Sequence, residues 1–332
     1  MRRLALLPLL LVPLLLACEP PLDAGSIAMH QPAPPPPPTG AALLLQPEDL
    51  PPGQTVLRLG VTPYSSPAAL TAELQPIANW LTGVLGVQVQ LKIASNYEDL
   101  VAQFAAGQVD VALFSPLSYV MARRRVPDLH LLAQTLSYGA ASYTSYILVR
   151  VDDPAQGLRD LKGRRMAWVD PFSTAGYLFP YDALLVAGVD PERDLRSTLF
   201  AGTHEAALAA LVAGQVDAAA VSSSTLVLKR GDPVHGLDLG SVRILARAGR
   251  IPYDATCARP AIPVSGVRKI SWALQNLDTR SQQGRAVLAT AEGITGWIPA
   301  ADDTYDGVRA ALVRVQKHRD QFGRPEVGRA TR

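Results

Sequence analysis

Two copies of one short segment decide the fold: Ala106-Gly107-Gln108-Val109-Asp110-Val111-Ala112 and Ala213-Gly214-Gln215-Val216-Asp217-Ala218-Ala219. Each copy closes an amphipathic helix, turns at a glycine and enters an apolar strand. A repeat with the same context on both sides indicates two similar α/β lobes. Asp110 and Asp217 recur with the repeat, and we interpret them as residues that cap or brace each lobe rather than as a catalytic pair.

The segments around the repeat alternate between strand and helix patterns. In the first lobe the pattern predicts strands over residues 56–61, 87–91 and 109–114 and helices over 67–81 and 97–106. In the second lobe it predicts strands over 144–151, 165–169 and 216–221 and helices over 175–187 and 205–212. Such alternation is typical of parallel sheets with crossover helices.

We divide the chain into five segments. These are a signal peptide (1–18), a proline-rich tether (19–54), the first part of lobe 1 (55–147), lobe 2 (148–248), and the completion of lobe 1 with a C-terminal helix (249–332). The chain is expected to leave lobe 1 near Tyr146 and to return near Gly249. Two lobes joined by a hinge would close around a ligand in the cleft between them.

The N-terminal segment predicts export and lipid anchoring. Met1-Arg2-Arg3 precedes an apolar run, Leu4 to Ala17, that is too short to span a membrane. The run ends at Cys18 in a pattern that resembles the bacterial lipobox, where the cysteine is lipidated. The alternative is an ordinary cleaved signal peptide with a chance cysteine. Prolines 34–38 favour an extended spacer, or less readily a ligand for a partner domain.

Composition excludes several classes of protein. The 332 residues carry 31 basic and 29 acidic side chains, a net charge of +2 that gives no case for nucleic acid binding. Cys18 and Cys257 are the two cysteines, so a thiolate metal site or a disulfide framework is excluded. Cys257 is interpreted as a small buried hydrophobe. We expect a monomer without a metal or cofactor.

One strand-to-helix junction has the chemistry of an anion site. Ser173 and Thr174 follow an apolar strand and open a helix, where hydroxyl groups and backbone N–H groups meet the positive end of the helix dipole. Alone, Ser-Thr at this place is more often an N-cap. Ser65 and Ser66 precede the first helix of lobe 1 in the same way, and two such junctions facing one cleft strengthen the interpretation.

The segment from Asp170 to Pro180, Asp-Pro-Phe-Ser-Thr-Ala-Gly-Tyr-Leu-Phe-Pro, resembles the DPxSTSGxLxP signature of the phosphate/phosphite/phosphonate-binding periplasmic proteins (PhnD-like). Residues 201–208 and 251–254 resemble the AGxHExxL and IPxD segments of that family. The resemblance covers roughly residues 56–300. It implies a type II-like periplasmic binding fold: two Rossmann-like α/β lobes joined by a hinge.

The resemblance also implies roles for individual residues. Ser173 and Thr174 would donate hydrogen bonds to the ligand's oxygens, and His204 would donate to the same oxyanion as a neutral imidazole. Ala175 stands where the family often has a third serine, which removes one hydroxyl donor. Tyr97 would donate its phenol or form a wall of the cleft.

Three further positions bear on the choice of ligand. Phe114, next to the candidate Ser115, stands where a tyrosine is common. Asp254 is kept, but Ser224 occupies a position where the family's aminoalkylphosphonate binders place an acidic residue. One carboxylate instead of two weakens the case for an amine-bearing ligand. Asp254 could instead accept a proton from a protonated phosphite or phosphate oxygen.

The first functional hypothesis is a transport receptor that captures a small phosphorus oxyanion outside the cytoplasm and delivers it to an ABC permease. The second is a ligand-binding subunit of a membrane sensor kinase, and the same fold with a changed ligand is also open. A third hypothesis is an extracytoplasmic enzyme with Cys257 as its nucleophile. The sequence lacks HExxH, GxSxG and Walker motifs, so we expect no enzyme.

Overall fold

The computed structural model describes residues 43–226, 239–291 and 293–322. Their strands form two sheets. The first sheet has six strands and the second has five. Cys18 and the other residues before Leu43 lie outside the described residues, so the predicted signal peptide, the lipidation site and most of the tether are not part of this description.

The first lobe is built on the first sheet. Its strands are β1 (Val56–Val61), β2 (Gln88–Ile93), β3 (Val111–Phe114), β4 (His130–Ser137), β10 (Ala255–Ala258) and β11 (Ile294–Ile298). Its helices are α1 (Pro67–Leu85), α2 (Tyr97–Ala105), α3 (Pro116–Arg125), α6 (Val264–Gln275) and α7 (Gln282–Val287). The Ser66 side chain caps α1 by accepting from the Ala69 amide at 3.3 Å.

The second lobe is built on the second sheet. Its strands are β5 (Ser142–Arg150), β6 (Arg165–Trp168), β7 (Ser197–Phe200), β8 (Ala218–Ser222) and β9 (Val242–Pro252). Its helices are a single π-helical turn (Thr174–Leu178) followed directly by α4 (Phe179–Val186), and α5 (His204–Val212). The strands and helices predicted from the repeat are all present, with ends shifted by a few residues.

Both sheets are mixed, so the prediction of parallel sheets holds only in part. The strand order is β11-β4-β10-β3-β1-β2 in the first sheet and β7-β6-β8-β5-β9 in the second. Strands β1, β2 and β3 are parallel, and so are β6, β7 and β8. However, β10 runs antiparallel between β3 and β4, β11 is antiparallel to β4, and β5 is antiparallel to β8 and β9. The antiparallel strands are where the chain crosses between the lobes or returns to the first sheet.

The folded region begins earlier than the predicted boundary at residue 55. Leu45 and Leu50 are buried in the core of the first lobe, and the Leu45 amide donates to the Leu85 carbonyl at 2.8 Å. The Asp49 carboxylate pairs with Lys269 at 2.6 Å. A side chain at Gly266 would lie 2.1 Å from the Asp49 carbonyl oxygen, so only glycine permits this close packing. These contacts make the end of the predicted tether part of lobe 1.

The chain changes lobes between β4 and β5 and again between β9 and β10, which places all of β5 and β9 in the second sheet. The last helix, α8 (Asp306–Asp320), packs against α3 of the first lobe and against α4 of the second. Arg314 of α8 binds Asp182 of α4 at 2.9 Å, and Arg319 donates to the Tyr177 hydroxyl at 2.8 Å. The C-terminal helix thus contacts both lobes instead of completing lobe 1 alone.

Among the described residues no helix has the length and apolar character needed to cross a membrane.

The repeat has the same role in both lobes. In lobe 1 the Asp110 carboxylate accepts from the Arg58 backbone amide at 2.8 Å. It also accepts from Nε and Nη2 of the Arg58 guanidinium, each at 2.7 Å. In lobe 2 Asp217 accepts from the Arg165 amide at 2.9 Å and from its guanidinium at 3.1 and 2.7 Å. Each pair joins one parallel strand of its lobe, β1 or β6, to the neighbouring parallel strand that follows the repeat, β3 or β8, in agreement with the interpretation of these aspartates as braces.

The two braces differ in burial and therefore in their expected contribution to stability. The Asp110 side chain is fully buried and also accepts from Arg259 at 2.7 Å, whereas the Asp217 side chain is 15% exposed. Burial acts to raise the pKa of Asp110, but the hydrogen bonds from Arg58 and Arg259 outweigh it and lower that pKa. The bonds from Arg165 lower the pKa of Asp217 to about 2.

We predict that Asp110→Asn lowers the free energy of unfolding by roughly 2–4 kcal/mol, because it removes a fully buried carboxylate and leaves two partly buried guanidinium groups, those of Arg58 and Arg259, without their counter-charge. The matched variant Asp217→Asn is expected to cost roughly 1–2 kcal/mol, since water reaches that pair. Urea unfolding at neutral pH measures both values. Equal costs for the two variants would contradict the assignment of Asp110 as the more deeply buried brace.

Candidate functional site

A cleft between the lobes contains two neighbouring chambers. The inner chamber is a cavity of about 130 Å³ and the outer chamber one of about 220 Å³, and Tyr64, His204 and Ser224 line both. The other residues lining the inner chamber are Thr62, Tyr97, Leu113, Ser115, Thr135, Ser137, Tyr143, Ser173, Thr174, Ser222, Tyr253, Asp254 and Ile294. The outer chamber is further lined by Ser65, Ala69, Ala72, Glu73, Tyr138, Glu205, Thr225 and Thr290. The inner chamber lies where the parallel strands of both sheets end, the usual ligand position in open α/β sheets.

The predicted anion site is the π-helical turn that follows β6. Ser173 caps this turn by accepting from the Gly176 amide at 3.0 Å, and the Leu178 amide donates to the Ser173 carbonyl at 3.0 Å. Thr174 and Ala175 occupy the first positions of the turn, where backbone N–H groups have no acceptor within a helix. Gly176 is required because a Cβ there would lie 2.3 Å from the Val169 side chain. The turn therefore directs amide groups and hydroxyl groups toward the chamber.

Thr174 also joins the two lobes. Its hydroxyl oxygen accepts from the Leu117 amide at 2.7 Å, at the start of α3 in lobe 1. Asp170 of lobe 2 also bonds to lobe 1. Its carboxylate accepts from the Phe172 amide at 2.7 Å and from the Tyr97 amide at the start of α2 in lobe 1. Burial raises the pKa of Asp170 to about 6, against the opposing effect of these amides. The residues at the ligand site thus also form the contact between the lobes.

His204 is held in one tautomer. Its Nδ1 atom accepts from the Ser222 amide at 3.1 Å, so in the neutral ring the proton is on Nε2. Burial lowers the pKa of His204 to about 4, and the ring is therefore neutral at physiological pH. His204 is the first residue of α5, whose N-cap is Thr203. A neutral imidazole with one N–H group is a hydrogen-bond donor for an oxyanion, as the sequence predicted.

Asp254 is a carboxylate without a counter-charge among the residues that the structure describes. Neither chamber is lined by a lysine or an arginine from the described parts of the chain. Burial of its carboxyl group raises the pKa of Asp254 to about 7. The inner chamber therefore combines neutral donors with one acidic group, and any anion bound there would be held without help from a described cationic side chain.

The sequence prediction missed most of the tyrosines in the inner chamber. Tyr64, Tyr143 and Tyr253 line it together with Tyr97, and the rings of Tyr143 and Tyr253 lie 4.8 Å apart. The Tyr143 and Tyr253 phenol groups add further neutral donors, whereas the Tyr64 hydroxyl donates to Glu73 at 3.0 Å. Tyr64 directly follows Thr62-Pro63 at the end of β1, and that position was a signal that could have identified it. Tyr253 is the variable position of the IPxD-like segment, and no pattern marks Tyr143 on β5.

The structure brings together most of the predicted site residues but not all of them. Tyr97, Ser115, Ser173, Thr174, His204, Ser224 and Asp254 line the inner chamber, and Ser65 lines the outer one. Phe114 is fully buried and packs edge-on against Phe104, because successive residues of a strand point to opposite faces and Leu113 takes the chamber side. The prediction for Phe114 is therefore wrong. Ala175 is also buried and contributes through its place in the turn.

Cys257 does not have the environment of a nucleophile. It lies in β10, its side chain is fully buried, and burial raises the pKa of its thiol well above the ordinary value. A reactive thiol needs the opposite, a lowered pKa and access to solvent. The interpretation of Cys257 as a buried hydrophobe is consistent with this environment.

Fold and site together define a two-lobed periplasmic binding protein, and comparison with known proteins gives the family. Residues 59–305 match the family described as ABC transporter, phosphonate, periplasmic substrate-binding protein. The match covers more than half of the chain, and the chain belongs to this family. The related proteins are substrate-binding components of transporters and not enzymes, which confirms that prediction for this chain. The family also implies an extracytoplasmic location.

Two curated relatives and one solved structure support the assignment. The chain is 30% identical over 269 residues to the phosphate-import protein PhnD of Mycolicibacterium smegmatis, covering 76% of this chain and 84% of that protein. It is 27% identical to the phosphonates-binding periplasmic protein of Escherichia coli, covering 77% and 75%. The structure of PhnD1 from Prochlorococcus marinus in complex with methylphosphonate superposes with a TM-score of 0.69 at 21% identity, covering 79% of this chain and 99% of that one. This last likeness confirms the fold.

We predict that Asp254→Asn changes how stability depends on pH. The folded-state pKa of Asp254, about 7, lies above the unfolded value of 3.8, so the folded protein binds more protons between these values and loses stability as the pH rises through them. Asparagine does not ionise. The variant should therefore gain roughly 1–3 kcal/mol on the wild type between pH 5 and pH 8.

Thermal or urea unfolding without ligand at pH 5 and pH 8 tests this prediction. Asp303→Asn, at an exposed aspartate outside both chambers, is the matched control and should follow the wild type at both pH values. A constant difference between wild type and Asp254→Asn across this range would show that Asp254 does not titrate there.

Proposed function

We propose that this protein captures a small phosphorus oxyanion in the inner chamber and delivers it to an ABC permease, while a lipid on Cys18 anchors it at the membrane. The observation that carries the ligand proposal is the donor set on the second lobe. Ser173 and Thr174 each accept a backbone N–H bond at the hydroxyl oxygen, which keeps its own hydrogen for donation, and His204 accepts at Nδ1, which leaves Nε2–H as its donor. All three residues line the inner chamber, where a ligand oxygen can accept from them.

The size and chemistry of the inner chamber agree with a small tetrahedral oxyanion. A volume of about 130 Å³ suits a phosphate-sized group and not a large organic ligand. Neutral donors suffice for anion binding when backbone amides at a helix start supply the positive potential. The relatives named for phosphate import and for phosphonate binding support the same ligand class for this chain.

The delivery step rests on family membership and on the two-lobed fold. Closure of two lobes around a ligand changes the surface that both lobes present together, and a permease can distinguish the closed form from the open one. The lipid anchor rests on Cys18 and on the apolar run before it. We further expect a monomer. A protein anchored this way would meet its permease by diffusion along the membrane surface.

We predict that phosphate, phosphite or a small phosphonate stabilises the purified protein against heat. Ligand at about 100 times its dissociation constant adds roughly 2.7 kcal/mol, a shift of a few degrees for a protein of this size. Ser173→Ala and His204→Ala should each weaken binding by roughly 1–3 kcal/mol, through the loss of one hydrogen bond to a charged ligand.

Ser197→Ala is the matched control, because Ser197 is an exposed serine on β7 that lines neither chamber. Its affinity should equal that of the wild type. If no phosphorus compound stabilises the protein, the ligand class is wrong and the alternative of a changed ligand gains support.

We also predict that Cys18 carries the lipid. In cells grown with a labelled fatty acid, the wild type should incorporate the label and sediment with membranes. Cys18→Ala should do neither, since it removes the thiol to which the lipid is attached. Cys257→Ala is the matched control and should keep both the label and the membrane association. Labelling of Cys18→Ala would overturn the proposed site.

A further inference from the structure

One tyrosine at the rim of the cleft has an unusual backbone conformation. Tyr138 is in the turn between β4 and β5, where the chain crosses from lobe 1 to lobe 2. Ser137 and Ala140 exchange two backbone hydrogen bonds, of 3.0 and 2.9 Å, around Tyr138 and Gly139. Both central residues have positive φ, 50° and 74°, and Tyr138 is the one non-glycine residue with positive φ among those that the structure describes.

This conformation indicates a role for the Tyr138 side chain. Two-residue hairpin turns with positive φ at both central positions favour Asn-Gly, Asp-Gly or Gly-Gly. Gly139 agrees with that preference, whereas a bulky residue at the first position is strained. Strained residues are concentrated at ligand clamps and switch regions of proteins. Because asparagine or glycine would form the same turn without strain, the turn itself does not explain a tyrosine here.

The Tyr138 side chain lies on the solvent side of the two chambers. It lines the outer chamber and not the inner one. Of the residues that line the outer chamber, Ala72, Tyr138 and Thr290 are exposed, whereas none of the described residues that line the inner chamber is exposed. Because the two chambers share part of their lining, a ligand from solvent reaches the inner chamber through the outer one.

The ring of Tyr138 is held at this rim. The Tyr138 amide donates to the Gly293 carbonyl at 2.7 Å, and the Gly139 amide donates to the Thr295 hydroxyl at 3.1 Å. A Cβ on Gly293 would lie 2.6 Å from Cζ of Tyr138, so the ring packs directly on that glycine. The residue is nevertheless 46% exposed. The other exposed residues of the rim are an alanine and a threonine, so the tyrosine ring is the largest obstacle at the opening.

We propose, on the basis of the proposed function, that Tyr138 is a gate on the path between solvent and the inner chamber. Its side chain does not line that chamber and therefore does not contact a ligand held there. A group that obstructs the entry of a ligand obstructs its exit to the same extent, since both directions pass the same barrier. Tyr138 thus sets how fast the ligand exchanges and leaves the dissociation constant unchanged.

Stopped-flow mixing with inorganic phosphate and with methylphosphonate, together with isothermal titration, tests the gate. Tyr138→Asn removes the ring and supplies a residue that suits the turn. We expect this variant to raise the association and dissociation rate constants of both ligands by the same factor, at least fivefold. Each dissociation constant should stay within twofold of the wild type. Tyr138→Gly also suits the turn and should have the same effect.

Two controls separate the loss of the ring from other effects of substitution. Tyr138→Phe keeps the ring and should keep both rate constants within twofold of the wild type. Phe322→Asn is the matched control, because Phe322 is an aromatic residue that is 38% exposed and lines neither chamber. Its rate constants should equal those of the wild type. Unfolding midpoints without ligand check that each variant is folded.

The outcomes separate the gate from the proposed function. If both ligands bind the wild type and Tyr138→Asn leaves the rate constants unchanged, the gate is wrong while phosphorus-oxyanion binding stands. A faster dissociation alone, with a weaker dissociation constant, would show that Tyr138 contacts the ligand and would also overturn the gate. If neither phosphorus compound binds the wild type, both proposals fail. An equal rise of both rate constants that Tyr138→Phe does not reproduce supports the gate.

Discussion

The structure depends on one interaction that occurs twice, the pairing of an arginine on a parallel strand of each lobe with an aspartate from the repeated segment. Arg58 with Asp110, and Arg165 with Asp217, each use a guanidinium and a backbone amide on one carboxylate. Such bidentate contacts set the register between two neighbouring parallel strands. Because Asp110 and Asp217 precede their strands, the carboxyl ends of those strands are left to form the ligand chamber.

The second constraint is electrostatic: the donor groups that line the inner chamber are neutral, and under the proposed function they would bind an oxyanion without a cationic side chain from the described residues. Each donor of lobe 2 is oriented by a backbone amide: Gly176 for Ser173, Leu117 for Thr174 and Ser222 for His204. An oriented neutral donor avoids the desolvation cost that a buried lysine or arginine would bring. It also makes recognition depend on the number of ligand hydrogen bonds rather than on ligand charge alone, which suits discrimination among similar anions.

Much of the fold was predictable because the repeat marks both lobes and because β1, α1, α2 and β6 have clear periodic patterns. Ser173 and Thr174 were predictable because they stand at a strand-to-helix junction within a segment that resembles the family signature, and His204 was predictable because residues 201–208 resemble the family's AGxHExxL segment. The positions of β10 and β11 were not, since an antiparallel strand that returns from a distant part of the chain has no local signal. Phe114 was misassigned because a resemblance in sequence identifies the strand but not the face to which a side chain points, and Phe114 points away from the chamber. Thr135 was missed for a related reason: only the assembled cavity shows that its unpaired hydroxyl belongs to a residue lining the chamber.

Ligand binding and contact between the lobes are linked through Thr174. Its hydroxyl oxygen accepts from Leu117 of lobe 1 while its hydrogen remains for an acceptor in the chamber. A ligand oxygen that takes this hydrogen polarises the hydroxyl and strengthens the bond to Leu117, since linked hydrogen bonds reinforce one another. Asp254 and Thr135 of lobe 1 line the same chamber. Binding energy would then be divided between the lobes, and the ligand would stabilise the closed form by joining them.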